Sequence, residues 1–138
     1  MASKLSITKA LRPMSAQVLL VDDDPAVRAA LQFRLELEGF VVNACSSGEE
    51  LLDRQDLPKG EACLVLDYKL TGMTGLETLQ RLRDRHVNLP ALLITSNPAP
   101  VLRAAAGTAG ATIVEKPLLG DDLVGEIRAA LLVGAGRI

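Results

Sequence analysis

Residues 18–28 read VLLVDDDPAVR, an apolar run that ends at three consecutive aspartates and a proline. The run has the length of a β-strand, and a proline is typical of the first turn of a helix. Like charges repel, by about 4 kcal/mol for two carboxylates 4 Å apart in an effective dielectric of 20. A strand that ends at Asp22 and Asp23 therefore indicates a cation nearby, whereas Asp24, directly before Pro25, is predicted to cap the following helix.

The rest of the chain alternates short apolar runs with segments of helical periodicity, which is typical of a parallel sheet covered by helices. The predicted strands span residues 17–21, 40–45, 62–67, 91–95 and 111–115. The first predicted helix runs from Pro25 to Gly39, and the second covers 46–55, with Ser47 and Glu50 at the spacing of a capping box. Three further helices are predicted to include residues 76–82, to lie within 97–107 and to include 123–131. The predicted class is therefore α/β, with five strands and five helices.

Length and composition restrict the classes of function. The 138 residues fit one domain, and the 49% apolar and 23% charged residues are typical of a globular protein. A net charge of -2, with two phenylalanines, one tyrosine and no tryptophan, argues against direct binding of nucleic acid. No apolar run approaches the length of a membrane span. Cys45 and Cys63 are too far apart for a CxxC motif, so we predict a cytoplasmic protein with reduced core thiols.

The N-terminal segment, residues 1–16, contains Lys4, Lys9 and Arg12 but no acidic residue. It lacks the continuous apolar stretch of a secretory signal. We expect a loose tail or a short extra helix here, with a dimer contact as a further option. One domain is predicted over 17–133, followed by a C-terminal tail over 134–138.

Polar side chains follow four of the five predicted strands. In a parallel sheet the carboxyl ends of the strands form a crevice, so these side chains are expected to meet there. They are Asp22 and Asp23, Asp67, Thr95 with Ser96, and Lys116. Carboxylates favour a hard divalent ion such as Mg²⁺, and together with a lysine and a hydroxyl they suit a phosphoryl group. Asp67 stands alone after the strand predicted to be central, which favours it as a nucleophile that forms an acyl phosphate.

Four motifs, VLLVDDDPAVR, CLVLDYKLTGMTGLE, ALLIT and VEKPL, resemble in this order the CheY-like receiver domain of bacterial two-component response regulators. The resemblance covers residues 17 to about 132. It implies a flavodoxin-like, doubly wound sheet with strand order 2-1-3-4-5. It also implies that Asp67 accepts a phosphoryl group from a sensor histidine kinase or a histidine phosphotransfer protein. His86, the single histidine, lies at a predicted helix end, so the donor imidazole is expected to come from the partner.

The resemblance further implies a role for each site residue. Mg²⁺, or Mn²⁺ in its place, would bind Asp22 through water and Asp23, Asp67 and the Lys69 backbone carbonyl directly. Thr95, Ser96 and Lys116 would bind the phosphoryl oxygens. Lys69, Asn97 and Ile113 are the positions expected to modulate the reaction or its output.

The sequence departs from the receiver pattern at several positions. Ile113 stands where receivers commonly place the tyrosine or phenylalanine that rotates on activation. Thr71 replaces the usual proline after Leu70 and is expected to loosen the loop that follows Asp67. Lys69 either overlooks the site or is a solvated surface lysine. The stretch between Thr95 and Lys116 is slightly shorter than usual, which leaves the choice of output partner open.

Three functions are compatible with these features. The first is a stand-alone receiver that acts as a phosphorylation switch, catalyses at most its own phosphorylation and dephosphorylation, and signals to a downstream protein target, with a homodimer left open. The second is a degenerate receiver that signals without phosphate, which Ile113 and Thr71 favour. The third is a haloacid-dehalogenase-like phosphatase, because Asp22 and Asp24 have the DxD spacing of that family, although the chain leaves no room for its usual cap domain.

Overall fold

A computed structural model of the protein describes residues 16–118 and 122–135. Within these ranges it contains five strands and five helices. In chain order these are β1 (Gln17–Val21), α1 (Pro25–Leu37), β2 (Val41–Cys45), α2 (Gly48–Leu52), β3 (Ala62–Asp67), α3 (Gly75–Asp84), β4 (Ala91–Thr95), α4 (Pro100–Thr108), β5 (Ala111–Glu115) and α5 (Asp122–Ala135). Apart from Ala16, the predicted N-terminal segment lies outside the described residues, as does the end of the predicted C-terminal tail.

The five strands form one parallel sheet with the order β2-β1-β3-β4-β5, which confirms the predicted fold class. β1 pairs with β2 on one side and with β3 on the other, so Val21 lies opposite both Cys45 and Leu66. β2 and β3 lie on opposite sides of β1, so the direction in which strands are added reverses at β1. This reversal places a crevice at the carboxyl ends of β1 and β3.

Helices cover both faces of the sheet, and each face has its own apolar cluster. On one face, α1 and α5 bury Leu35 and Ile127 against the sheet. On the other face, α2, α3 and α4 bury residues that include Leu51, Leu79 and Ala106. All six residues of β3 are buried, as expected for a central strand with both faces covered.

The start of α1 confirms the role predicted for Asp24. Its Oδ1 accepts hydrogen bonds from the backbone N–H groups of Ala26 (2.9 Å) and Val27 (3.2 Å). The helix ends at Leu37, and Gly39 follows with a φ of 98°, a left-handed conformation that favours glycine.

The capping box predicted for α2 forms only in part. The Ser47 hydroxyl accepts from the Glu50 N–H (3.0 Å), but the Glu50 carboxylate accepts from Ser46, at its N–H (2.7 Å) and its hydroxyl (2.9 Å). The helix is also shorter than predicted, since it ends at Leu52. A complete capping box joins Thr74 and Glu77 at the start of α3 instead.

Arg83 joins the segments that lead into β4 and β5, at the amino edge of the sheet. Its guanidinium donates to the backbone carbonyls of Ala109 (2.8 Å), Val87 (2.8 Å) and Leu89 (2.7 Å). His86 lies in the same turn after α3, exposed and with a φ of 63°, so the prediction of an exposed histidine at a helix end is confirmed. None of the described helices combines the length and the apolar character that a membrane span requires.

Both cysteines are buried free thiols, as predicted. Burial raises the pKa of Cys63 to about 12. The pKa of Cys45 is also raised, mainly by burial and further by the nearby negative charge of Glu50.

We expect neither thiol to react readily with Ellman's reagent at pH 8 while the protein is folded. The thiolate is the reacting form, and a pKa of about 12 leaves roughly one Cys63 thiol in 10⁴ ionised at that pH. Release of thionitrobenzoate, followed with and without urea, measures this, and Cys63→Ser isolates the signal of Cys45. Equal rates in the folded and unfolded protein would contradict the buried placement.

Gly75 and Gly107 provide a matched pair of glycine-to-alanine substitutions. A methyl group at Gly75 would collide with the backbone carbonyl of Asp67, whereas no atom lies within 4 Å of one at Gly107. We expect Gly75→Ala to lower the free energy of unfolding by about 2 kcal/mol and Gly107→Ala, in α4, to raise it by about 0.5–1 kcal/mol. Urea denaturation checks both values, and the prediction is wrong if the two variants change stability in the same direction.

Candidate functional site

Three carboxylates meet at the carboxyl ends of β1 and β3. One oxygen from each of Asp22, Asp23 and Asp67 lies within 4.8 Å of the other two. Asp22 and Asp67 are buried, with 5% and 7% of their surface exposed, while Asp23 is half-buried. The parallel pairing of β1 with β3 produces this cluster, because Val21 and Leu66 are partners and the aspartates directly follow them.

Lys116 supplies a positive charge next to the cluster. It directly follows β5, and its Nζ lies 3.3 Å from Asp67 Oδ1. The backbone N–H of Lys116 donates to the carbonyl of Thr95 (2.8 Å), which joins the ends of β4 and β5. Although the ammonium is close enough for an ion pair, the buried Oδ1 of Asp67 accepts no hydrogen bond from the described residues. That oxygen is therefore open to a cation or an electrophile.

The three carboxylates have different electrostatic environments. Burial raises the pKa of Asp67, and the charges of Asp22 and Asp23 add to this effect, while Lys116 opposes it. The pKa of Asp23 is lowered, chiefly by hydrogen bonds from the hydroxyl and N–H of Thr71. The site thus combines Asp23, whose charged form is well stabilised, with Asp67, whose charged form is poorly stabilised.

Asp22 is oriented by the turn that follows β1. Its Oδ1 accepts from the N–H of Asp24 (2.9 Å), and its backbone carbonyl accepts from the Arg28 guanidinium (2.8 Å). Arg28 was not among the residues predicted for the site. Its position as the fourth residue of α1 is the signal that points to this contact, because side chains in the first turn of a helix point back toward its N-terminus and so toward the end of the preceding strand.

The loop between β3 and α3, residues 68–74, is bound to both neighbouring segments. Thr71 donates from its N–H and from its hydroxyl to Asp23 Oδ2, at 2.9 Å in each case. On the other side, the Met73 N–H donates to the Glu49 carboxylate (3.3 Å). The expectation that Thr71 loosens this loop is therefore wrong, because Thr71 fastens the loop to Asp23 and a proline could not donate the backbone hydrogen bond.

The remaining predicted residues lie around this centre. Thr95 is buried at the end of β4, beside the end of β3, while Ser96 is exposed and Asn97 has a φ of 46°. Lys69 is exposed. Ile113 is half-buried in β5 and packs against the apolar cluster under α2, α3 and α4. The structure thus brings together the three aspartates and Lys116, with Thr95 and Ser96 at the same edge of the sheet.

The comparison with protein families agrees with this geometry. The family model described as the response regulator receiver domain matches residues 18–128. The chain belongs to this family. Receiver domains are signalling modules of two-component systems, in which phosphorylation and Mg²⁺ binding at an acidic pocket are typical. They interact with histidine kinases or phosphotransfer proteins.

Curated relatives of this receiver are longer proteins. The C4-dicarboxylate transport transcriptional regulatory protein DctD of Pseudomonas aeruginosa is 36% identical over 118 residues, which are 85% of this chain and 25% of the relative. The transcriptional regulatory protein FixJ of Azorhizobium caulinodans is 32% identical over 120 residues, which are 86% of this chain and 56% of the relative. The chain therefore spans a quarter to about half of the length of these relatives.

Solved structures support the same fold. The chemotaxis protein CheY4 of Vibrio cholerae has a TM-score of 0.76 and 26% identity, and the match covers 85% of this chain and 99% of that one. The response regulator StyR has a TM-score of 0.79 and 31% identity, over 88% of this chain and 61% of that one.

We expect Mg²⁺ to raise the unfolding temperature of the wild-type receiver and to have little effect on Asp23→Asn. A cation that binds only the folded state stabilises it by about 2.7 kcal/mol at 100 times its Kd, and here it also relieves the repulsion among three carboxylates. Thermal unfolding with and without Mg²⁺ measures the shift.

Asp24→Asn is the matched control for that experiment. It removes one charge from the same acidic triplet, but asparagine still caps α1. The Mg²⁺ shift should persist in this variant, and its loss would mean that the ion responds to overall charge and not to the cluster.

Proposed function

We propose that the protein is a single-domain response regulator in which Asp67 accepts a phosphoryl group from a sensor histidine kinase or a histidine phosphotransfer protein. The observation that carries this proposal is the buried Asp67 Oδ1, which accepts no hydrogen bond from the described residues and lies 3.3 Å from Lys116 Nζ. A carboxylate oxygen in these surroundings is a suitable nucleophile, because burial stabilises its charged form poorly and no hydrogen bond from the described residues engages its lone pairs. We place this reaction in the cytoplasm.

In the proposed reaction, an oxygen of Asp67 attacks the phosphorus of a phosphohistidine. A new O–P bond forms as the P–N bond breaks, and the imidazole leaves with the electron pair. Lys116 holds one phosphoryl oxygen through its ammonium, and Thr95 and Ser96 offer hydroxyls at the neighbouring strand end. These groups neutralise and orient the phosphoryl oxygens, which is the main requirement of phosphoryl transfer.

The residues present fit a hard divalent cation. Three carboxylates with oxygens within 4.8 Å of one another form the donor set that Mg²⁺ and Mn²⁺ prefer. We assign Asp23, Asp67 and the Lys69 carbonyl as direct ligands and Asp22 as the partner of bound water. When bound, the ion would neutralise charge on the phosphoryl oxygens.

The hydrogen bond between the ends of β4 and β5 offers a route by which phosphorylation could change the surface that contacts a partner protein. Phosphorylation adds a charge of about -1.5 to -2, next to Lys116 and Thr95. Since Lys116 donates its backbone N–H to Thr95, a shift at Thr95 reaches β5, which contains Ile113. Ile113 cannot reproduce an aromatic switch, so we expect the conformational change to pass through movement of β5 and α4.

The exposed surface of α4 and β5 is a candidate for the output contact. Arg103 in α4 pairs with Glu115 in β5 (2.6 Å), and Val101 is 80% exposed on the same helix. This surface is our candidate for the contact with a downstream protein or a second copy.

Two alternatives receive less support. A degenerate receiver is favoured by Ile113 and Thr71, but Thr71 stabilises Asp23, which suits a working cation site. A haloacid-dehalogenase-like phosphatase would need Asp24 as the second residue of its DxD pair. Asp24 is exposed, and its Oδ1 is occupied by the N–H groups that begin α1.

We expect wild-type protein incubated with Mg²⁺ and acetyl phosphate to gain one phosphoryl group, and Asp67→Asn to gain none. Intact-mass spectrometry measures the adduct, and Asp24→Asn, which should still be modified, is the control for loss of a neighbouring charge. An adduct on Asp67→Asn would contradict the assignment. If no adduct forms and Mg²⁺ does not bind, a degenerate receiver is the better interpretation, and steady turnover of organic phosphates would favour the phosphatase.

A further inference from the structure

The outward face of α1 is apolar along the length of the helix. It carries four residues at intervals of four, three and four positions, which places them on one side of the helix: Ala26, Ala30, Phe33 and Leu37. All four are exposed, and Phe33 and Leu37 leave 65% and 68% of their surface uncovered. Leu35, on the opposite side, is buried in the core. A surface helix ordinarily turns polar residues outward, so this second apolar face, the α1 stripe, indicates that another segment covers it.

The chain enters the sheet beside the C-terminal end of the α1 stripe. The Ala16 carbonyl accepts a hydrogen bond from the N–H of Val41 (3.0 Å), and Val41 follows Leu37 by four residues. The 13 residues of α1 span about 20 Å, whereas the fifteen residues before Ala16 reach up to about 50 Å when extended. Residues 1–15 are therefore attached at one end of the stripe and are long enough to run along it.

The sequence of residues 1–15 suits this face. Ile7 and Leu11 are four positions apart, a spacing that puts two side chains on one face of a helix and also on one face of an extended chain. The segment contains three basic residues and no acidic one. The end of α1 carries Glu36 and Glu38 against a single base, Arg34, and the helix dipole adds negative charge there. Segment and helix end are thus complementary in charge as well as in apolar character.

A tethered segment accounts for the α1 stripe better than a second copy of the chain does. A stable dimer interface typically buries about 800 Å² and about 20–30 residues on each partner. The stripe offers four residues, and two of them are alanine. A segment of the same chain needs no such area, because a short linker holds it at an effective concentration on the order of millimolar.

We propose that residues 1–15 fold back over the α1 stripe and cover it. Ile7 and Leu11 supply the apolar contacts with the stripe, and the basic residues lie near the acidic end of α1. A partner protein that binds the outward face of α1 must then first displace the segment. This contact needs neither a cation nor a phosphoryl group, so the inference stands apart from the chemistry proposed for Asp67.

A tryptophan reporter in the full chain tests this placement. The protein contains no tryptophan, so the emission of Phe33→Trp reports on position 33 alone. We expect this emission to lie at shorter wavelength than that of Val101→Trp and to be quenched less by acrylamide, since Val101 is 80% exposed on α4. Adding Ile7→Asp and Leu11→Asp to Phe33→Trp should abolish the difference, because the two acidic side chains remove the apolar contacts.

Ser6→Asp with Thr8→Asp is the matched control in the same Phe33→Trp background. It adds the same two charges but keeps both apolar residues, so the protection of position 33 should persist, and its loss here would overturn the proposal. Protection that disappears on dilution, together with a dimer in size-exclusion chromatography, would identify a second copy as the cover and also overturn it. Equal quenching of Phe33→Trp and Val101→Trp at every protein concentration would show that the stripe is free for another protein, with the same consequence. Phosphorylation by acetyl phosphate, measured on the same variants, tests the proposed function separately.

Discussion

The parallel pairing of β1 with β3 is the constraint on which the rest of the structure depends, because it forces three like charges to one point. Val21 lies opposite Leu66, so the aspartates that follow leave the two strands side by side. β3 is buried along its whole length, and apolar packing on both faces keeps the strands in this register. The core therefore holds together a charge cluster that would separate in an open chain.

Each of the three carboxylates is stabilised against this repulsion by different neighbouring groups. Asp22 receives a backbone hydrogen bond from Asp24, and Asp23 receives two hydrogen bonds from Thr71. Asp67 has the ammonium of Lys116 nearby but no hydrogen bond to its buried Oδ1 from the described residues. This weak stabilisation of the Asp67 carboxylate agrees with its raised pKa, whereas the hydrogen bonds from Thr71 lower the pKa of Asp23. Its position at the end of the central strand agrees with the proposed role of Asp67 as the phosphoryl acceptor.

Most of the fold and the centre of the site could be predicted because both depend on local patterns. Apolar runs identify the strands, and the polar residues that follow four of these runs mark the carboxyl edge, which is why Asp67 and Lys116 could be predicted to meet. The contact between Thr71 and Asp23 escaped prediction, since it joins residues 48 positions apart and depends on the path of a loop. The capping box predicted for α2 is correct only for Ser47, which the residue spacing identifies as the cap. The rotamer of Glu50, which spacing does not determine, decides whether its carboxylate accepts from Ser47 or from Ser46.

The amino and carboxyl edges of the sheet are stabilised by different interactions, and these interactions differ in how strongly dissolved ions affect them. At the amino edge, the partly buried guanidinium of Arg83 donates hydrogen bonds to three backbone carbonyls. Dissolved ions screen partly buried interactions of this kind only weakly. At the carboxyl edge, crowded negative charges oppose the packing beneath them. Because cations would relieve this repulsion, we expect local opening at the carboxyl edge to be easier when cations are scarce. The edge at which signalling chemistry is proposed is thus the edge whose local stability we expect to depend on ions, whereas the contacts of Arg83 before β4 and β5 should depend on them little.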